Sequence, residues 1–329
     1  RLALAFLLPL LLVTWTCASA DTIRVPSDQP TIQAGIDAAS EGDTVLVACG
    51  TYYEHDIACT TNVFLTSETG DASCVTIDAQ QQGRVMWVKR GLDARLAGLT
   101  ITGGLCDQGQ GGGVLLRDGG HHVLTAVTFL GNVSPHEGGG LACFGIEEET
   151  TLTLTDCAFS DNVAGADAGS GGGGLFCWDV AEAALTRCTF TGNQSTPPEW
   201  CGSSEGGGGV LVGGAYTHAV DVTLSLTDCT FTANTVNGED EEGGGLLFSP
   251  QGAGDATLTG CTFTDNASEA SGGGAGMRFS GGSAIVVDCT FSGNFCGGSG
   301  GGMYHTRESG SVAFTNCAFS ANTAAGDGG

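Results

Sequence analysis

The segment Gly243–Asn266 reads GGGLLFSPQGAGDATLTGCTFTDN: a glycine triplet, a short apolar run, a turn, then Leu-Thr-x-Cys-Thr-Phe-x-x-Asn. Its closing Phe-x-x-Asn recurs at Phe129/Asn132, Phe159/Asn162, Phe190/Asn193, Phe231/Asn234, Phe263/Asn266, Phe291/Asn294 and Phe319/Asn322. Successive asparagines are 30, 31, 41, 32, 28 and 28 residues apart, and a degenerate copy, Leu99–Gly104, lies 28 residues before Asn132. A repeat of this period is the mark of a solenoid. Within each copy, apolar residues alternate in short runs broken by Gly, Asn and Asp, which predicts strands and turns. Helical solenoids need ~10 or more helix-forming residues per helix, and glycine triplets beside Thr-x-Thr runs cannot supply them. Strands that recur once per coil must stack in parallel, roughly 4.8 Å apart, so eight marked coils give a rod segment of about 40 Å. The expected fold is therefore all-β, a parallel β-helix in which each column of the repeat is a ladder.

Composition agrees. Glycine, at 57 of 329 residues, clusters at one phase of the repeat and follows no Gly-X-Y period, so collagen is excluded. Residues 1–20 carry one basic residue, an apolar run and the small-residue end Ala18-Ser19-Ala20, the pattern of a secretory signal peptide. The run is shorter than the ~20 apolar residues of a spanning helix, and no later segment qualifies. Removing it takes Arg1 and no acid, leaving 9 basic against 36 acidic residues, a net charge of −27. Such a chain does not bind nucleic acid, and polyanion substrates are expected to be repelled. Calcium is the one cation its acidic loops could hold; no other cofactor is expected.

Residues 21–98 read as a cap and first coils. A helix over about Pro30–Ser40 is predicted, with Ile32, Ile36 and Ala39 on one face and Gly42 beyond its end. It would cover the open end of the stack and prevent end-to-end association. Strands are expected at Thr44–Ala48, Val63–Leu65, Val75–Ile77 and Val85–Val88. Most of the positive charge lies here, and Arg84, Lys89, Arg90 and Arg95 are expected to pair with nearby acids. Residues 99–329 are the repeat coils. Asp327-Gly-Gly329 begins another glycine corner, so more chain is expected beyond it.

The run Thr31–Ala39, with Gly42–Val47 and Gly50–Glu54, resembles the opening of bacterial right-handed parallel β-helix proteins of the pectin-lyase-like superfamily. The Gly-Gly and Phe-x-x-Asn pattern resembles the repeat of polymorphic outer-membrane proteins. The resemblance implies a right-handed β-helix exported to the extracellular space or the outer-membrane surface of a bacterium. It says little about chemistry, because the superfamily holds lyases, hydrolases, esterases and adhesins.

Six cysteines, Cys157, Cys188, Cys229, Cys261, Cys289 and Cys317, share one repeat position with Leu99 and Val127, which marks an apolar core column of free thiols. Bridges between adjacent rungs look geometrically unfavourable. Cys143 and Cys177 join a second column with Leu116, Val212, Phe248 and His305. Cys49, Cys59, Cys74, Cys106, Cys201 and Cys296 stand outside both columns; among them Cys49 with Cys59, flanking one loop, is the expected disulfide. The phenylalanines Phe159, Phe190, Phe231, Phe263, Phe291 and Phe319 should stack. The asparagines Asn162, Asn193, Asn234, Asn266, Asn294 and Asn322 should take the bend conformation and bond their amides to one another.

No catalytic constellation emerges. Gly297–Gly301 matches Gly-x-Ser-x-Gly but lacks the strand-turn-helix context, and His121, His122, His136, His218 and His305 scatter among different coils. Zinc is excluded by the absence of Cys-x-x-Cys and of any tetrahedral set. The acidic runs Glu147–Glu149 and Glu239–Glu242 read as solvated loops. The longest repeat contains two insertions, Gln194–Glu205 and Gly213–Asp221, where binding would concentrate. Trp178, Trp200 and Tyr216 are the candidate binding residues, able to stack on sugar rings. The expected role is adhesion, surface display or carbohydrate recognition by a monomer, without catalysis, toward extracellular glycans or surface proteins. The alternative is a polysaccharide lyase or glycoside hydrolase.

Overall fold

The computed structural model describes residues 20–106, 109–145, 149–165, 171–196, 206–214, 221–238, 242–250, 254–269, 274, 276–280, 282–306 and 310–328. Nearly all of the signal segment, and Trp200, Cys201, Tyr216 and His218, lie outside them. The chain winds as a right-handed parallel β-helix whose strands form a 19-stranded sheet, a 9-stranded sheet and a 7-stranded sheet, called here A, B and C. Each regular coil runs through B, two legs of A and then C. In the coil of Cys229, these are Val210–Gly213, Val222–Thr227, Thr230–Thr232 and Thr235–Val236.

The corners follow from the sequence. Left-handed backbone occurs just before the cysteine column, as at Asp156, Arg187 and Asp228 with φ of 50–55°, and again just before each asparagine, as at Asp161, Ala233 and Asp265 with φ of 54–55°. The bend therefore falls on the residue preceding each asparagine, not on the asparagine as expected, which leaves the amide free to point inward. The glycine triplet turns the chain from C into B where two coils crowd together. A Cβ on Gly174 would lie 2.6 Å from the Gly209 carbonyl and 3.1 Å from the Phe190 ring, so only glycine fits.

The interior consists of ladders. Phe129, Phe159, Phe190, Phe231, Phe263, Phe291 and Phe319 stack with ring centroids 4.5–5.0 Å apart and planes within 9° of parallel. The buried asparagines are saturated: Nδ2 of Asn193 donates to Oδ1 of Asn234 and to the Phe159 carbonyl, both at 2.9 Å, and its backbone N–H donates to the same Oδ1 at 3.1 Å. The six cysteines of the first column are free thiols beside Leu99 and Val127. The second column runs through Leu116, Cys143, Cys177, Val212, Phe248, Phe279 and His305.

Three cysteine expectations are corrected. Cys49 bonds Cys74, not Cys59: Gly50 pairs with Val75, so Cys49 stacks over Cys74 with Cα atoms 4.5 Å apart. Adjacent rungs can thus be bridged at a corner, within the ordinary disulfide span. Cys59 belongs to the second column, pairing with Val88 above Leu116, and burial pushes its thiol up to about 12. Cys296 belongs to sheet C, in register with Ser268 and Ala324.

The helix spans Ile32–Ala38, with the Thr31 hydroxyl accepting from the Ala34 N–H. Glu54 accepts from the next two orphan amides, Ile32 at 2.8 Å and Gln33 at 3.0 Å. Ile32 and Ile36 are buried against the first rung, so the helix caps the stack. An unpredicted strand, Thr22–Val25, precedes it and pairs with Thr44–Val47.

Candidate functional site

The outer face of sheet B carries the groups with binding chemistry. Its register places Ala58, Trp87, Leu115, Ala142, Phe176, Leu211, Leu247, Arg278 and Tyr304 in one outward file. An outward file of aliphatic and aromatic residues on a strand that already buries its inner face is a covered or ligand-facing surface.

At the N-terminal end of this file, Asp56, Arg84, Trp87, Val88, Lys89, Arg90, Leu115 and Arg117 line an open cavity of about 320 Å³. Val88 pairs with Leu116, so Lys89 and Arg117 follow one rung apart, both exposed. Neither forms an ion pair among the described residues. Trp87 lies half-buried beside them. Arg84 is not paired with an acid as expected: its Nε donates to the Gly111 carbonyl at 2.8 Å and its Nη2 to the Gln110 carbonyl at 2.6 Å. Burial holds its guanidinium below the ordinary arginine range. It pins the next coil's glycine corner and forms the groove wall. Arg90 pairs with Asp118 at 3.3 Å, as expected, and Arg95 lies over the Phe64 ring at 5.8 Å. The net charge of the chain is therefore sorted: four cations and one carboxylate line this groove on an otherwise acidic rod. The clue was legible, since Lys89 and Arg117 are 28 residues apart, one repeat.

Further along the face, Trp178 lies parallel to Phe176 with centroids 5.8 Å apart, and Phe144 meets Phe176 at 5.4 Å. A Cβ at Gly213 would come within 2.7 Å of the indole, so Trp178 covers the Gly213 backbone on the next coil and remains half-buried. Trp200 and Tyr216, expected to act with it, lie outside the described residues. The insertions are narrower than expected: Gln194–Ser195 is a strand of sheet C and Gly213 ends a strand of sheet B. At the other end, Arg278 pairs with Glu242 under the face and stands 5.8 Å over the Tyr304 ring.

The histidines do not converge. His122 is buried, its Nδ1 accepts from the Ala94 N–H at 3.1 Å, and burial pushes its pKa down to about 4. His305 occupies the second column beside Phe279. Among the described residues, one group of potential metal ligands gathers, Cys49, Glu68 and Cys74, and its two sulfurs are joined in the disulfide. No helix of the described residues is long and apolar enough to cross a membrane.

A family model described as a right-handed beta helix region matches residues 173–328. No curated protein matches the sequence significantly. Among solved structures, a pectin methylesterase mutant in complex with a hexasaccharide is 13% identical, with a TM-score of 0.45, over 76% of this chain and 80% of its own. The polygalacturonase from Erwinia carotovora ssp. carotovora is 11% identical, with a TM-score of 0.42, over 93% of this chain and 94% of its own. The pectin methylesterase from Aspergillus niger in deglycosylated form is 11% identical, with a TM-score of 0.40, over 94% and 88%.

Proposed function

We propose that the chain is an exported recognition module of the bacterial surface, with repeats of the polymorphic outer-membrane type, that binds an anionic polysaccharide without turning it over. The observation that carries the reading is the cation-lined groove at Trp87. An indole supplies a stacking platform for a sugar ring. Lys89 and Arg117, spaced by one coil, supply charge for carboxylates on successive units of a polymer, in a site the acidic remainder of the rod leaves as its one favourable approach. Trp178 extends the same face along the rod axis. The Cys49–Cys74 disulfide fits an oxidising destination. Glycoside hydrolysis in its usual form uses two carboxylates, and Asp56 is the one acid among the described lining residues.

Elimination from a uronate is the second reading, because a cation-rich groove is also what that chemistry asks for. A binding titration with acidic and neutral oligosaccharides, run beside an assay for unsaturated uronates and new reducing ends, tests both. Binding of acidic chains only, weakened by salt and lost in Lys89→Ala/Arg117→Ala and in Trp87→Ala, is the expected result. Turnover would replace recognition by catalysis, and equal affinity for neutral chains would remove the groove from the account.

A further inference from the structure

We propose that the outer face of the shorter leg of sheet A binds the surface of crystalline ice. The residues flanking the phenylalanine ladder point outward in two parallel files. One runs from Thr100 through Thr128, Ala158, Thr189, Thr230, Thr262 and Thr290 to Ala318; the other runs from Thr102 to Ser320. Of these sixteen positions ten are Thr, three Ser, two Ala and one Leu, and none is charged. Threonine suits any strand surface, but that preference alone does not empty a face of charge in a chain with 36 acidic residues. The longer leg of the same sheet shows the contrast, since its outward positions include Arg95, His121, Glu182 and Asp255.

The face is also evenly spaced: the rings stacked directly beneath it, from Phe159 to Phe319, lie within 9° of parallel at a near-constant separation. Their spacing of 4.5–5.0 Å sets the repeat along the rod, and two strand residues set a repeat of roughly 6.6 Å across it. The prism face of hexagonal ice presents its oxygens at a similar pair of spacings. Among the described residues, the hydroxyls of Thr189, Thr191, Thr230, Thr232, Thr262 and Thr290 have no hydrogen-bond partner, while Thr264 and Ser292 align theirs at 3.2 Å along the file. The threonines are stiff at χ1, so methyl and hydroxyl are held in place before contact.

The occupant follows from these properties. Each hydroxyl contact is weak when it replaces one to water, and the face has no concavity and no ring, so a soluble ligand engaging a few positions gains little. A rigid lattice engages every rung at once. Charge complementarity selects an uncharged one, and the absence of aromatic rings on these two files argues against a crystalline polysaccharide, whose sugar faces call for stacking.

The test grows a single ice crystal in a solution of the labelled full chain and measures both its incorporation and the gap between melting and freezing. The chain is expected to enter the ice and open a gap. Thr191→Lys and Thr232→Lys, each with unchanged circular dichroism and unfolding midpoint, should each reduce incorporation about tenfold by breaking simultaneous contact. Thr223→Lys, on the longer leg, should not. Exclusion of the wild-type chain from ice overturns the proposal, as does equal incorporation of Thr191→Lys and Thr232→Lys, or retention on crystalline cellulose that these variants abolish. Lys89→Ala/Arg117→Ala should leave ice incorporation unchanged, so the outcome is independent of the glycan groove.

Discussion

Sheets A and B belong to the same coils and obey the same stacking geometry, yet they are written differently. On the short leg of sheet A, one residue type occupies nearly every rung: phenylalanine inside, threonine or serine outside, asparagine at the corner that follows. On sheet B the inner column changes from Cys59 and Val88 through Cys177 and Val212 to Phe248 and His305, and the outer file from Trp87 to Leu247 and Arg278. Where a side chain's principal partner is its own copy one rung away, the optimum is the same at every rung. Where the partner is a loop or a ligand, each rung is solved separately. Uniformity marks contact with an identical copy or with a surface equally periodic, and variation marks contact with a loop or a discrete ligand.

The strongest way to break that contrast is to interrupt the asparagine ladder. In Asn193→Leu, the Asn162 backbone N–H, a hydrogen of Asn162 Nδ2 and the Phe159 carbonyl all lose their buried partner. Each orphaned group costs about 1–3 kcal/mol, so a loss of at least about 3 kcal/mol is expected in denaturant unfolding. Val212→Ala on sheet B, which leaves no polar group behind, should fall below it. A ladder that tolerated leucine would mean that the asparagines serve shape alone.

His122 is the sharpening case, since it stands in a core file of sheet A whose next rungs hold Leu152 and Ala183. Burial lowers its folded-state pKa to about 4, below the ~6.5 of an unfolded chain. A depressed pKa gives stability that is present above pH ~6.5 and lost as pH falls toward 4, by about 3 kcal/mol over that window. His122→Leu leaves the Ala94 N–H without its acceptor and lowers stability at neutral pH. It should nevertheless remove that part of the acid dependence, seen as a smaller difference between unfolding free energies at pH 7 and pH 4.5. An unchanged difference would mean that the folded imidazole takes up its proton as readily as the unfolded one.

The same contrast explains what could be read in advance. The ladders were legible because a repeat supplies its own neighbours: knowing one rung places the next. The Thr22–Val25 strand was not, because it has no copy in the chain. Loop proximity points Cys49 to Cys59, whereas the register that sets Gly50 beside Val75 puts Cys74 under Cys49. Cys59 heads the varied column of sheet B, where no recurring residue type announces the phase. The groove at Trp87 disappears when charge is averaged along the chain, although Lys89 and Arg117, which form no ion pair among the described residues, stand one repeat apart.

The smallest expected effect separates uniformity from necessity. The cysteine column is as regular as the asparagine column, yet its rungs continue through Val127 and Leu99 without a break in pairing. Cys229 lies fully buried; its thiol donates to the Leu185 and Thr227 carbonyls at 3.4 Å each and meets the Cys188 and Cys261 thiols on the adjacent rungs. A thiol is a weak donor in a small apolar group, so Cys229→Val exchanges it for a slightly larger side chain in a column that already holds valine. A change below about 1.5 kcal/mol is expected in denaturant unfolding. If Cys229→Val cost as much as Asn193→Leu, the thiol-to-thiol contacts would carry as much stability as the amide ladder, and copy-to-copy pairing would govern the whole interior of sheet A.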